Sequence, residues 1–220
     1  MSDKNRPCVI LGSGGHARSL LSLLAALEWP IAGCISPKAP SNNWPKDCPW
    51  LGDDAILNVL DPDAVVLANG LGSVGPPTQR TNVYTAGQAR GFSFPTLIHP
   101  TAIHTNLNFN EGIQIMAGVI IQAGVKVGEN ALLNTGVIVD HDCWIGAHSH
   151  LAPGVTLSGG VCVGSGAHIG TGAVIIQEIS IGKGVVVGAG SVVIGNIEPG
   201  MTVVGNPART LKNELLKDDK

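Results

Sequence analysis

The sequence predicts two units in series, a small Rossmann-like α/β unit with a parallel sheet and, after it, a left-handed parallel β-helix. Three observations carry this. From Ile103 to Ile197 an apolar side chain recurs at every sixth position; most of these are preceded, two positions earlier, by a small or β-branched residue; and the first hundred residues alternate strand-like and helix-like patterns, with a glycine-rich turn after the first strand.

The recurring apolar residues are Ile103, Phe109, Ile115, Ile121, Val127, Leu133, Val139, Ile145, Leu151, Leu157, Val163, Ile169, Ile175, Ile181, Val187 and Val193. A six-residue period is neither the 2.0 of a strand nor the 3.6 of a helix, and hexapeptide repeats mark β-helices of short, flat strands. In a left-handed coil each hexad makes one side of a triangular prism, so residues i and i+18 stack about 4.8 Å apart. An ordinary antiparallel domain would share the Val, Ile and Gly content, but its turns would drift off a strict register. Within each hexad the recurring residue and the one two before it point inward, its immediate neighbours point outward, and the next two turn the corner. The inward partners include Val119, Val125, Ala131, Val137, Cys143, Val155 and Val161.

In the N-terminal part, residues 8–11 read as a strand, Gly12-Ser13-Gly14-Gly15 as a turn, and 16–27 as a helix. Next come a strand at 31–35, a Pro-rich irregular segment at 36–50, a short helix at 53–60, a strand at 64–68, a Gly/Pro-rich loop at 69–77, a helix at 78–90 and a strand at 93–98. Alternation of this kind builds a parallel sheet. Ligands then bind beyond the carboxyl ends of the strands, here at the loops 12–16 and 69–75. The free N–H groups of a glycine turn at a helix N-terminus suit a phosphate. As a dinucleotide fingerprint the motif is incomplete, lacking its third Gly and an acidic residue after the second strand (Ser36-Pro37), so a phosphate-bearing ligand and a merely tight turn both stay open. A Pro-containing stretch at 96–101 bridges into the coils. After Ile197 the register ends; 201–209 reads as an extended tail and 210–216 as a short capping helix. The expected units are 1–100, 101–198 and 199–220.

A net charge of −3 without a Lys/Arg cluster argues against a nucleic-acid partner. The N-terminus lacks a signal-peptide pattern and no eighteen apolar residues run together, which predicts a cytoplasmic protein without membrane insertion. The five cysteines show no CxxC spacing and read as small core filler in a reducing compartment.

The chemistry-bearing stretch is Asp140-His141-Asp142, whose last two residues fall on a corner. A carboxylate that accepts from one imidazole nitrogen fixes the tautomer and strengthens the other as a proton acceptor, so His141 is a candidate general base and Asp142 its partner; a solvated polar corner is the plain alternative. One coil on, at i+18, stands Gly159, whose unshielded N–H suits an oxyanion hole. His150 lies half a coil from His141 on the opposite side of the prism, so a site containing both must form between subunits, and a triangular prism packs naturally about a threefold axis. His168 stacks on His150 and reads as structural. The trio His141, His148 and His150 raises a zinc reading, as in carbonic anhydrases of β-helix fold, but its spacing matches no ligand pattern; no metal is expected.

GSGGHA at 12–17, the hexad array, NTGVIVDHDCWIG at 134–146, HLAPG at 150–154 and VVGNPAR at 203–209 resemble the hexapeptide-repeat sugar acetyltransferases. That family includes the sialic acid O-acetyltransferases and the nucleotide-sugar N-acetyltransferases of the bacillosamine and perosamine pathways. The resemblance spans nearly the whole chain. It implies an acetyl-CoA-dependent homotrimer with CoA in the groove between adjacent prisms, lined by His150, Gly159, Thr171, Ala189 and Arg209. By position, His141 would be the base, Asp142 its orienting carboxylate, Gly159 the donor to the acetyl carbonyl and His150 a neighbour of the thioester. Asn134 would position the acceptor, while Gly12, Ser13, Gly14, Gly15, His16, Asn69 and Gly70 would hold the nucleotide. The chain departs from the family at Ser36 and Pro37, where members often carry Asp near the nucleobase, and its 71–77 loop is longer than usual. The implied reaction is N-acetylation of a nucleotide-linked 4-amino-dideoxy sugar. O-acetylation of sialic acid is the alternative, a metal-dependent hydratase or a non-catalytic scaffold the more remote ones.

Overall fold

The computed structural model describes residues 5–105 and 110–211. In the N-terminal unit, β1 (Cys8–Leu11), β2 (Ile31–Ile35), β3 (Trp50–Gly52) and β4 (Val66–Asn69) form a parallel sheet in the order β3-β2-β1-β4. Helix α1 (Gly15–Ala26) follows the glycine turn, and its Leu20, Leu23 and Leu24 are buried on one side of the sheet. The same core includes Leu97, Met116 and Leu132, so α1 is packed between the sheet and the coils. Helix α2 (Thr78–Gln88) covers the sheet's other side through Tyr84, which stacks on Phe94 over Leu11 and Leu67.

The remainder is a left-handed parallel β-helix. Among the described residues its three faces carry 8-, 6- and 4-stranded sheets. Stacked partners such as Leu132, His150 and His168 are one coil apart. The inward positions fill a continuous core in which Ile145, Leu151, Val155, Leu157, Val161 and Ile169 have no exposed surface. Burying each such side chain is worth about 1.5–3 kcal/mol. On the outside the faces differ. The 8-stranded face lies under the N-terminal unit, which buries Gln114, Leu132, His150 and His168. The 6-stranded face presents Ile103, Ile120, Ile138, Thr156, Val174 and Val192 outward, and Ile138 and Val174 remain 39% and 37% exposed. The 4-stranded face presents Lys126, Trp144, Cys162 and Ser180.

Several expectations are corrected. The hexad register does slip at its start: Ile103 pairs with Ile120 and His104 with Ile121, so the first coil is a residue short. A one-residue slip reverses which face a side chain meets, and Ile103 is accordingly 65% exposed instead of inward. Phe109 lies outside the described residues. Of the strand expected at 93–98 only Leu97–Ile98 forms, and it pairs with Gln114–Ile115 in the coils, although Ser93 still accepts from the Leu67 N–H. The segment expected to be irregular through Trp50 ends in β3. At the C-terminal end Thr202–Val204 continues the 8-stranded face and Arg209–Thr210 turns back antiparallel against it, so Thr210 is in a strand and Leu211 donates to the Thr202 carbonyl; residues 212–216 of the expected capping helix lie outside the described residues.

Candidate active site

The chemical groups fall into two clusters on opposite edges of the apolar 6-stranded face. The first is the corner that leads to the 4-stranded face. Here Asp142 takes φ +59°, a left-handed conformation that glycine fills at the equivalent corners Gly160, Gly136 and Gly154. Asp tolerates it at modest cost, and the turn brings Asp142 Oδ2 2.9 Å from His141 Nδ1. Asp140 Oδ1 accepts the His141 N–H at 2.8 Å. The hydrogen bond to Asp142 and the charge of Asp140 hold the His141 pKa above its ordinary value. The other ring nitrogen faces Gly159 on the next coil so closely that a Cβ there would come 2.5 Å from Nε2. Ser158, Gly160, Gln177 and Glu178 complete an open cleft of ≈ 550 Å³.

The second cluster is a groove of ≈ 820 Å³ between the N-terminal unit and the corner that leads from the 8-stranded to the 6-stranded face. It gathers Gly15, His16, Ser73, Asn134, His150, His168, Thr171 and Ala189. Helix α1 starts in this groove with no side-chain cap and no acidic residue in its first turn, leaving amides open to an anion. His16 Nε2 meets Gln114 Oε1 at 2.8 Å, and burial, then the Arg80 charge, lowers its pKa to about 4 against the raising effect of Gln114. His150, 4% exposed, sits between Asn134 Nδ2 at 3.3 Å and Ser73 Oγ at 2.8 Å. Burial foremost, with His168, Arg80 and His16 adding to it, drives its pKa far down. His168 stands edge-on to it with ring centroids 5.0 Å apart, and is also pushed down by burial.

The expected site residues therefore divide. His141, Asp142 and Gly159 meet at the first cluster; His150, Asn134, Thr171, Ala189, Gly15 and His16 meet at the second. Gly12 lines a separate cleft of ≈ 380 Å³ at the strand ends with Ile35, Pro37, Asp54 and Asn82. Ser13 and Gly14 form the neck between that cleft and α1. Asn69 is 1% exposed, and its amide donates inward to the Arg80 carbonyl and to Asn130, so the side chain braces the loop instead of facing a ligand. Gly70 is pressed onto the sheet, where a Cβ would lie 2.7 Å from Leu11 O. Arg209 lines another cleft, near Ile194 and Asn196. His148 is tied to Asn130 and does not join His150. Among the described residues no group of three or more His, Cys, Asp or Glu side chains is arranged to hold a metal ion.

The bacterial transferase hexapeptide (six repeats) profile matches residues 124–159. A histidine-to-asparagine variant of perosamine N-acetyltransferase from Caulobacter crescentus, in complex with CoA and GDP-perosamine, is 34% identical, with a TM-score of 0.86 over 94% of this chain and 97% of that one. The acetyltransferase domain of PglB from Neisseria gonorrhoeae in complex with acetyl coenzyme A is also 34% identical, with a TM-score of 0.85 over 94% and 99%. WeeI from Acinetobacter baumannii is 25% identical, with a TM-score of 0.83 over 94% and 100%. No curated protein matches the sequence. The chain belongs to the hexapeptide-repeat sugar acetyltransferases.

One residue that lines this sugar acetyltransferase's groove and two buried ones that support it were not read from its sequence. Ser73 enters from the 71–77 loop, whose unusual length was the only hint. Gln114 occupies an outward hexad position that a β-helix alone would expose. Arg80, fully buried, donates to the carbonyls of Asn69, Leu71 and Asn130, and so ties the 69–71 loop to the coils. Burial lowers its pKa to about 9, and its Nε has no partner among the described residues.

Proposed function

We propose that the protein transfers acetyl from acetyl-CoA to the amino group of a nucleotide-linked 4-amino-dideoxy sugar, with His141 as general base. The observation that carries the reading is the corner itself: Asp142 occupies His141 Nδ1 and leaves Nε2 directed at the Gly159 backbone one coil away. The similarity to enzymes crystallised with CoA, acetyl coenzyme A and GDP-perosamine supports the substrate class.

A neutral amine attacks the thioester carbonyl, forming the C–N bond. The carbonyl oxygen takes up the negative charge beside the Gly159 N–H. His141 Nε2 accepts the amine proton while Asp142 stabilises the imidazolium. Collapse breaks the C–S bond, and the CoA thiolate leaves with that proton. Residues 1–100 hold the nucleotide and 101–198 carry out the transfer, while 199–211 finish the prism.

The reaction requires a trimer. The two clusters lie on the two edges of one apolar face, so three copies packed through that face about a threefold axis bring the His141 edge of each chain against the groove of its neighbour. A β-branched face left 37–39% exposed at Ile138 and Val174 is the surface such packing would cover. The cytoplasm, where acetyl-CoA and nucleotide sugars meet, is its place of action; no helix among the described residues is long and apolar enough to cross a membrane.

The test is thiol release from acetyl-CoA against UDP-, GDP- and dTDP-linked amino sugars and free sialic acid. Turnover on an amino sugar is expected, and turnover on sialic acid alone would overturn the amine reading.

A further inference from the structure

The Ser73 hydroxyl lies 2.8 Å from His150 Nδ1 and 3.1 Å from His168 Nδ1. It has one proton, so it donates to one ring and accepts from the other. Which way round follows from Asn134. The Thr135 backbone N–H can only donate, and it does so to Asn134 Oδ1 at 2.8 Å. The amide nitrogen of Asn134 therefore faces His150 Nε2, which must accept. Neutral His150 then carries its proton on Nδ1 and gives it to Ser73 Oγ, and Ser73 in turn donates to His168 Nδ1. Neutral His168 is left with its proton on Nε2, an atom with no protein partner among the described residues, in a side chain that lines the groove.

We infer that Ser73 is a positioning residue that fixes these tautomers, so that His168 presents Nε2–H as a donor to the pantetheine amide carbonyl nearest the thioester. This rests on the acetyl-CoA reading above. His168 stacks one coil beyond His150, about 4.8 Å along the prism, and the first amide of the pantetheine arm lies two methylenes beyond the sulfur. A thioester beside His150 puts that carbonyl alongside His168. Because Ser73 is carried by the loop after β4, which Arg80 ties to the coils, the nucleotide-binding unit itself sets the hydrogen-bond polarity of the CoA groove.

The experiment is calorimetric titration of the full-length protein with CoA, and with adenosine 3′,5′-bisphosphate as a probe that lacks the pantetheine arm, alongside ¹⁵N NMR of the imidazoles. His168→Phe keeps the ring's bulk and is expected to weaken CoA roughly tenfold, with the bisphosphate unchanged. Ser73→Ala should weaken CoA about fivefold, the size of one lost hydrogen bond, and shift the His168 ring away from the Nε2–H form, while Ser73→Thr restores both. Equal loss for CoA and the bisphosphate, unchanged CoA affinity in His168→Phe, or an Nδ1–H His168 in the wild type would each overturn the proposal. Failure of the wild type to bind CoA at all would instead remove the acetyl-CoA reading, and this proposal with it.

Discussion

The two edges of the apolar face use the same side chain in opposite ways. At the His141 corner an imidazole with a side chain 63% exposed has carboxylates on both sides in sequence, and its affinity for a proton is raised. In the groove His16, His150 and His168 are desolvated, have no carboxylate in contact among the described residues, and have their affinity lowered. Carboxylate partners at the exposed corner and desolvation in the groove separate an imidazole suited to carry a proton from hydrogen-bonding imidazoles that stay neutral. The base proposed at the corner must gain and lose its proton within a turnover; the groove imidazoles, proposed to orient a thioester, must not.

The largest break in this contrast is His141→Ala. It should lower kcat by about 10²–10⁴ with the melting temperature unmoved, because the side chain is exposed; activity within tenfold of wild type would show that the corner is not the base. Gly159→Ala comes next: its new Cβ would meet His141 Nε2 at 2.5 Å, and a loss of roughly 10²–10³ in kcat is expected from a displaced base and a blocked oxyanion donor. Asp142→Asn sharpens the comparison further. It removes the main cause of the raised His141 pKa, so the acid limb of kcat/KM should move to lower pH and its plateau fall by about tenfold; an unshifted limb would detach Asp142 from the base.

The smallest effect belongs to the groove. His16 has a folded-state pKa of about 4 against 6.5 unfolded, so between these values the unfolded chain binds more protons. Stability is then full above about pH 6.5 and declines as pH falls toward 4, by on the order of 3 kcal/mol for this residue. Thermal melts from pH 8 to pH 4 should show the decline, and His16→Gln should reduce it; a flat profile would contradict a neutral, desolvated His16.

Much of this was legible in sequence because a β-helix imposes one rule per position. The inward sites must be apolar, and i+18 stacking follows from counting, so Gly159 could be set beside His141 and His168 on His150 before any coordinates. Asp142 was legible because its partner is its neighbour. The rule fails where the count changes: Ile103 is apolar and fits the period, yet a first coil one residue short puts His104 in the slot instead. The groove escaped for a different reason. The Ser73–His150, Ser73–His168 and His16–Gln114 contacts join residues 77, 95 and 98 apart, set by how the N-terminal unit docks on the coils, and docking leaves no period to read. Asn69, assigned to the nucleotide through the resemblance, has its amide turned inward to the Arg80 carbonyl and to Asn130, 61 residues away, a contact that no period in the sequence carries.

Subunit complementation tests most directly the claim that each site is built from two chains. His141→Ala removes one edge, and Ala189→Trp, on the groove wall, blocks the other; each is expected to be nearly inactive alone. Co-expressed with different tags and purified as mixed trimers, they should regain a substantial fraction of wild-type thiol release, because an Ala189→Trp chain supplies its His141 to the open groove of a His141→Ala neighbour. Mixed trimers as inactive as the parents would contradict a shared site and place base and groove within a single chain.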